Sequence, residues 1–241
     1  MDVKYPIGIQ SFKTIINDGY LYVDKTDLVY DLAKEHVCFL SRPRRFGKSL
    51  LVSTLEAYFL GRKELFTGLK IEKFEHDWEV FPVFHIDFAK GNYNTQDALN
   101  NILSSYLSKW EKIFGKDDAN IELCDRFQYV LEQAYVKTGK KAVVLIDEYD
   151  KPLLDSLGEM AEKSNRDILR GFFGTFKAAD ESLRFVFLTG VTKFSQITVF
   201  SGFNQAYDIS MDGHFDAICG ITEEEINQTF AKSVKEMADK L

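Results

Sequence analysis

Cysteine and proline are scarce, at 3 and 4 among 241 residues. Cys38, Cys124 and Cys219 are far apart and odd in number, and none sits in a CxxC pair or beside a His at zinc-ligand spacing. That excludes a disulfide framework and a zinc staple. They read as small buried hydrophobes of a protein in a reducing compartment. Four prolines and 15 glycines against 45% hydrophobic residues argue against disorder and leave enough apolar material for a sizeable core. No run approaches the roughly 18 apolar residues of a membrane span. The opening MDVKYPIGIQ lacks a charged stretch followed by an apolar one, so the expected location is the cytoplasm, without a membrane partner. Positive charge is also in deficit. Thirty Lys and Arg against 37 Asp and Glu give a formal charge of −7, which excludes a basic coat that wraps nucleic acid. A local patch is still open, because Arg42, Arg44 and Arg45 are clustered.

What the sequence does have is alternation. Apolar runs at 37–40, 82–88, 142–146 and 184–188, with a weaker one at 206–210, are separated by enough chain for crossover helices. Rich in Val, Ile and Phe, they predict strands buried on both faces of a mainly parallel sheet of about five strands. Leu99, Ile102, Leu103, Tyr106, Leu107, Trp110 and Ile113 recur at helical steps and predict an amphipathic helix over 95–114. Further helices are expected over 121–137, ending before Gly139, and over 165–179. Thr222-Glu223-Glu224-Glu225 is a capping box, followed by Ile226, Phe230 and Val234 at helical spacing. The expected organisation is an N-terminal extension over 1–30, a core domain over 31–221, and a final helix over 222–241 that either ends the protein or opens a following domain.

The strand at 37–40 runs into Ser41-Arg42-Pro43-Arg44-Arg45-Phe46-Gly47-Lys48-Ser49 and then into a helical pattern. Strand, loop, GKS and helix in that order are what a phosphate-binding loop needs. Backbone N–H groups at a helix N-terminus cradle phosphates, the Lys reaches the β- and γ-phosphates, and the Ser hydroxyl takes Mg²⁺. The expected nucleotide contacts are Arg44, Arg45, Phe46, Gly47, Lys48, Ser49 and Leu50. Arg42 stands where the general GxxxxGK[ST] pattern has its first glycine, so the opening turn has to be made by a residue with a Cβ, helped by Pro43 fixing φ.

Later in the chain the run at 142–146 ends in Asp147-Glu148-Tyr149-Asp150. A carboxylate at the tip of a strand beside the phosphate-loop strand can hold Mg²⁺, and its neighbour can orient or deprotonate the attacking water. The metal ligands are therefore expected to be Ser49 and Asp147, and the catalytic residues Glu148 and Lys48. Thr189, at the end of the run at 184–188, is placed to sense the γ-phosphate. The four histidines are scattered. His85 and Asp87 share a strand face, which reads first as strand-end polarity and only second as an ion site.

With these residues in hand, the chain resembles the bacterial AAA-ATPase-like family whose hallmark is RPRRFGKS, here residues 42–49. The likeness extends to Tyr22-Val23-Asp24-Lys25-Thr26, His85-Ile86-Asp87-Phe88, Leu145-Ile146-Asp147-Glu148-Tyr149-Asp150-Lys151-Pro152, the TGVTKFS beginning at Thr189, and the GITEEE beginning at Gly220. It implies an α/β P-loop NTPase of three α/β/α layers, in the class that carries an additional strand between the phosphate-loop and acidic strands. It also makes Arg42 a family habit. It implies ATP and Mg²⁺ as cofactors and a Mg-dependent ATPase coupled to a partner or C-terminal domain. Longer members carry a nuclease-like C-terminal domain of the PD-(D/E)XK type, an activity not expected of these 241 residues. A non-hydrolysing nucleotide switch and a nucleic-acid contact through Arg42, Arg44 and Arg45 are the alternatives. Self-association is open, with Arg166, Arg170 and Arg184 as the candidates for a contact in trans.

Overall fold

The computed structural model of the chain describes residues 3–193, 206–231 and 234. Five strands pair in parallel: β1 (Val37–Ser41), β2 (Val83–Asp87), β3 (Ala142–Asp147), β4 (Leu183–Gly190) and the short β5 (Tyr207–Asp208), in the order β2-β3-β4-β1-β5. β4 therefore separates β1 from β3. This is the additional-strand arrangement, and it corrects the expectation that the acidic strand lies beside the phosphate-loop strand. All parallel strands end at the same edge, so the residues that follow β1, β3 and β4 meet there.

The alternating side chains of each strand feed two cores, as period-2 geometry requires. Phe39, Phe84, Ile86, Val144, Ile146, Val186 and Leu188 face one way, under α4 (Ala98–Phe114), α5 (Leu123–Thr138) and α7 (Glu162–Ala178). Cys38, Leu40, Val143, Leu145, Phe185 and Phe187 face the other way, under α2 (Thr26–Leu32) and α3 (Lys48–Phe59). The result is a three-layer α/β/α fold. A third cluster of Phe12, Ala57, Leu65, Phe66 and Ile71 seats α1 (Phe12–Asn17) on α3. The boundary expected at residue 30 falls inside α2, whose Val29 and Leu32 belong to the second core.

Three expectations change on contact with the packing. Ile113 is 62% exposed, and its neighbour Phe114 closes the α4 stripe instead, its ring centroid 5.4 Å from that of Phe84 on the edge strand. α7 starts at Glu162, earlier than position 165, where the Glu162 carboxylate accepts the Gly158 N–H at 2.9 Å. Cys124 is half-buried on α5, whereas Cys38 and Cys219 are buried and their thiols are pushed up to about 12 by loss of hydration. Short α6 (Lys151–Asp155) follows the acidic strand end, and α8 (Glu223–Thr229) carries the capping box, with both of its reciprocal hydrogen bonds formed by Thr222 and Glu225. No helix among the described residues is long and apolar enough to cross a membrane.

Phe127 stacks on Phe172 at a centroid distance of 4.5 Å, in the middle of the first core. Phe127→Ala is expected to lower the unfolding free energy by about 3–5 kcal/mol. Ile113→Ala, on the same predicted surface of the fold, should cost under about 0.5 kcal/mol. Urea unfolding followed by circular dichroism checks the contrast, and equal losses would contradict the packing described.

Candidate nucleotide-binding site

The loop between β1 and α3 turns at an unexpected place. The Arg42 N–H donates to Gly190 O at 3.2 Å, so Arg42 extends the β1–β4 ladder and needs no special backbone. The left-handed residues are Arg45, at φ 66°, and Gly47, at φ 87°, which caps α3. Glycine suits the second position, while the solvent-exposed Arg45 carries the local strain that the first requires. The Arg42 guanidinium donates to Ser41 O and to Ser210 O, and Ser210 Oγ accepts the Ser41 N–H at 2.8 Å. Arg42 thus fastens the segment after β5 to the end of β1. Of the three clustered arginines, only Arg44 and Arg45 are exposed.

Lys48 is the first residue of α3 and is buried. Its Nζ donates to Arg42 O at 3.1 Å and to Pro43 O at 3.2 Å, and lies 3.5 Å from Glu148 Oε1. The Ser49 hydroxyl lies close enough to Asp147, buried at the tip of β3, to favour its ionised form. Thr189 Oγ1, arriving from β4, lies 3.5 Å from Asp147 Oδ1, a contact longer than a full hydroxyl hydrogen bond. Lys48, Ser49, Asp147, Glu148 and Thr189 are thus brought together from three strand ends. Glu148 has φ 55°, a left-handed backbone that turns its side chain back from β3 toward Lys48. Burial raises the proton affinity of Asp147, with the Ser49 bond and the charges of His85 and Lys48 opposing it and Asp87 adding to it. Burial also raises that of Glu148, opposed chiefly by Lys48.

In the sequence Asp87 shares a strand face with His85. The structure places it in register with Asp147, one strand over, while His85 turns to Glu56 of α3 at 3.2 Å. Two strands ending in Asp at the same register carried that signal, but only the pairing makes it legible. Arg184 donates to Ala33 O at 2.9 Å and Glu35 O at 3.2 Å, capping α2 at the opposite edge of the sheet. Arg166 and Arg170 pair within α7, with Glu162 and Asp167.

Two cavities flank the loop. One of about 380 Å³ is mostly apolar and is lined by Tyr22, Val23, Phe46, Leu51, Ile218 and Ile221 among others. The other, of about 740 Å³, lies over Arg44, Lys48, Ser49 and Glu148, with Pro6, Ile7 and Gly8 along its rim. The apolar cavity is walled by both ends of the described chain. Lys25 Nζ meets Glu225 Oε1 at 2.6 Å and Ala217 O at 2.5 Å, and Gly220 N donates to Phe46 O at 2.8 Å. Asp24 accepts the Thr26 N–H at 2.9 Å and the Lys70 N–H at 2.7 Å, which fixes the segment that carries Tyr22 and Lys25.

A family described as "Predicted AAA-ATPase" matches residues 6–200, which include every strand end of this site. The chain belongs to the AAA-ATPase-like family. Within it, a protein from Azotobacter chroococcum mcd 1, described as "Uncharacterized protein in vnfD 5'region", is 41% identical over 233 residues. That similarity covers 95% of this chain and 45% of the relative, so the chain spans about half of that protein's length. Among solved structures, the Aeropyrum pernix ORC1 protein in complex with DNA aligns at 12% identity and a TM-score of 0.41, covering 89% of this chain and 50% of that one. Family and fold make the chain a nucleotide-binding domain of the P-loop ATPase type.

In the folded AAA-ATPase-like chain, Asp147 and Glu148 keep their protons to higher pH than in the unfolded chain. Folding therefore takes up protons as pH rises past the ordinary carboxylate values of 3.8 and 4.5, and both groups oppose stability at neutral pH. Asp147→Asn is expected to raise the thermal midpoint at pH 7.5 relative to wild type, with the gain shrinking toward pH 4. A lowered midpoint at pH 7.5 would contradict the buried-charge account.

Proposed function

We propose that this chain binds Mg·ATP in the cleft between the two cavities and hydrolyses it. The observation that carries the reading is the convergence of a loop lysine, a serine, two carboxylates and a threonine at one sheet edge, beside a mostly apolar cavity of about 380 Å³. A cavity of that size and lining suits a nucleoside base. The base would enter between the segment at Tyr22 and the turn at Gly220, and the phosphates would lie over the N-terminus of α3, where free N–H groups and the helix dipole favour anions.

The donor set fits a hard cation. Ser49 and Asp147 offer oxygen in contact with each other, and among the described residues no group of three or more His, Cys, Asp or Glu side chains could hold a metal ion. Such a pair matches an ion that takes most of its remaining ligands from phosphates and water. Mg²⁺ held there by Ser49 and Asp147 would neutralise charge on the β- and γ-phosphate oxygens.

The remaining work belongs to side chains of the protein. Lys48 brings a buried ammonium to the loop, where it is held by two neutral carbonyls, which an anionic phosphate outcompetes, and lies 3.5 Å from Glu148 Oε1. Glu148 reaches the same space with raised proton affinity, which suits a base that takes a proton from water. Thr189 offers a hydroxyl beside Asp147 that can read the terminal phosphate. Segments between Tyr5 and Val29 on one side, and Ile218 to Ile221 with Phe230 on the other, serve this domain as the two walls of the base cavity.

Phosphate release and fluorescent-nucleotide titration test the assignment. Lys48→Ala should weaken Mg·ATP binding about tenfold or more. Glu148→Gln should leave binding within a few-fold and cut phosphate release by about 10²–10⁴-fold. Tight binding by wild type with no phosphate release would make the domain a nucleotide switch. Equal turnover by wild type and Glu148→Gln would remove Glu148 from the mechanism.

A further inference from the structure

Asp150 has no part in the roles proposed above, yet it is fully buried. Its Oδ2 accepts two backbone N–H groups of the segment after β4, from Val191 at 3.0 Å and Thr192 at 2.6 Å. The preceding residue grips the same segment from another side. Tyr149 N donates to Thr189 O at 3.0 Å, and its hydroxyl donates to Thr192 O at 2.7 Å. The Tyr149 ring passes under the end of β4 to meet Phe39 of β1 edge-on, with centroids 5.3 Å apart. Gly190 permits that crossing, because a Cβ there would lie 2.4 Å from Tyr149 Cε1 and 2.6 Å from Asp150 Oδ1. Gly190 O in turn accepts the Arg42 N–H, so the tie reaches the phosphate loop itself.

A carboxylate is a costly group to bury where the need is only to fill space. Here it is spent on two N–H groups of the segment that immediately follows Thr189, and it stands two residues from Glu148. We infer that Asp150, together with Tyr149, is a positioning residue that holds Thr189 and Glu148 in one rigid frame with the phosphate loop, so that the site distinguishes a nucleoside triphosphate from a diphosphate. The inference rests on the nucleotide reading above. Thr189 and Glu148 are the two residues assigned to the γ-phosphate end, and such contacts survive only when held within a fraction of an ångström. Contacts to the base and to the inner phosphates are assigned to α3, the loop and the base cavity, whereas the two hydrogen bonds of Asp150 go to the segment that follows Thr189. Loosening the frame should therefore weaken recognition of the third phosphate and leave recognition of the first two.

Calorimetric titration of wild type, Asp150→Asn and Tyr149→Phe with ADP and with ATPγS, all in Mg²⁺, tests this without requiring hydrolysis. Wild type should prefer ATPγS by about tenfold or more. Asp150→Asn should keep ADP affinity within about threefold and lose most of the preference. Tyr149→Phe removes the hydroxyl that bonds Thr192 O and keeps the ring beside Phe39, so it should lose a smaller part. It carries the same test if Asp150→Asn does not fold. Equal weakening toward both nucleotides would assign Asp150 a merely structural role and overturn the inference, as would a full preference retained in both variants. A wild type that binds both nucleotides equally would overturn the inference while leaving the nucleotide reading in place. A wild type that binds neither would remove both.

Discussion

The nucleotide edge depends on one constraint, the seating of β4 between the phosphate-loop strand and the acidic strand. Parallel pairing on both sides puts Gly190 opposite Ser41 and Leu188 opposite Ile146, so the ends of the three strands arrive at one level. Every residue of β4 but Arg184 is buried, and its side chains feed both cores. A strand packed so completely cannot shift its register without turning a whole row of apolar side chains to the wrong face. The positions of Asp147, Thr189 and the loop relative to one another are therefore properties of the core as much as of the site.

The site itself works against the fold. It buries an ammonium and a carboxylate, leaves a second carboxylate half-buried, and asks Arg45 and Glu148 for left-handed backbone. Each of these is unfavourable in isolation. They persist because the layers around them are dense with stacked aromatics, among them Phe127 on Phe172 and Phe185 beside Phe187. The scarcity of proline and cysteine fits the same division of labour, since stability here comes from packing, without covalent staples.

Much of this was legible before the structure. The five strands, the three long helices and the capping box follow from apolar periodicity and end chemistry, and the residues of the GKS and DE motifs identify themselves by type and spacing. What was not legible depends on non-local geometry. Arg42 looked like a defect in the loop, because only the ladder bond to Gly190 shows that the chain is still strand at that point. Asp87 reads as ordinary strand-end polarity and Asp150 only as the last of an acidic run, because their significance lies in a register partner and in a segment about 40 residues away. Ile113 satisfied a helical stripe but faces solvent, and Phe114 packs on Phe84 in its place. Sequence patterns name the faces of an element, whereas tertiary packing decides where each face runs out.

The ion pair between Lys25 and Glu225 joins residues 200 positions apart. A pocket whose walls come from such distant segments is among the last parts of a chain to form, since closing so long a loop has to wait until the intervening sheet has shortened it. During synthesis the phosphate loop, the acidic strand and β4 would all have left the ribosome before the second wall of the apolar cavity existed. A nascent chain in that interval would present the phosphate loop beside a cavity that lacks one wall. Full nucleotide recognition would then mark the moment at which the domain is complete.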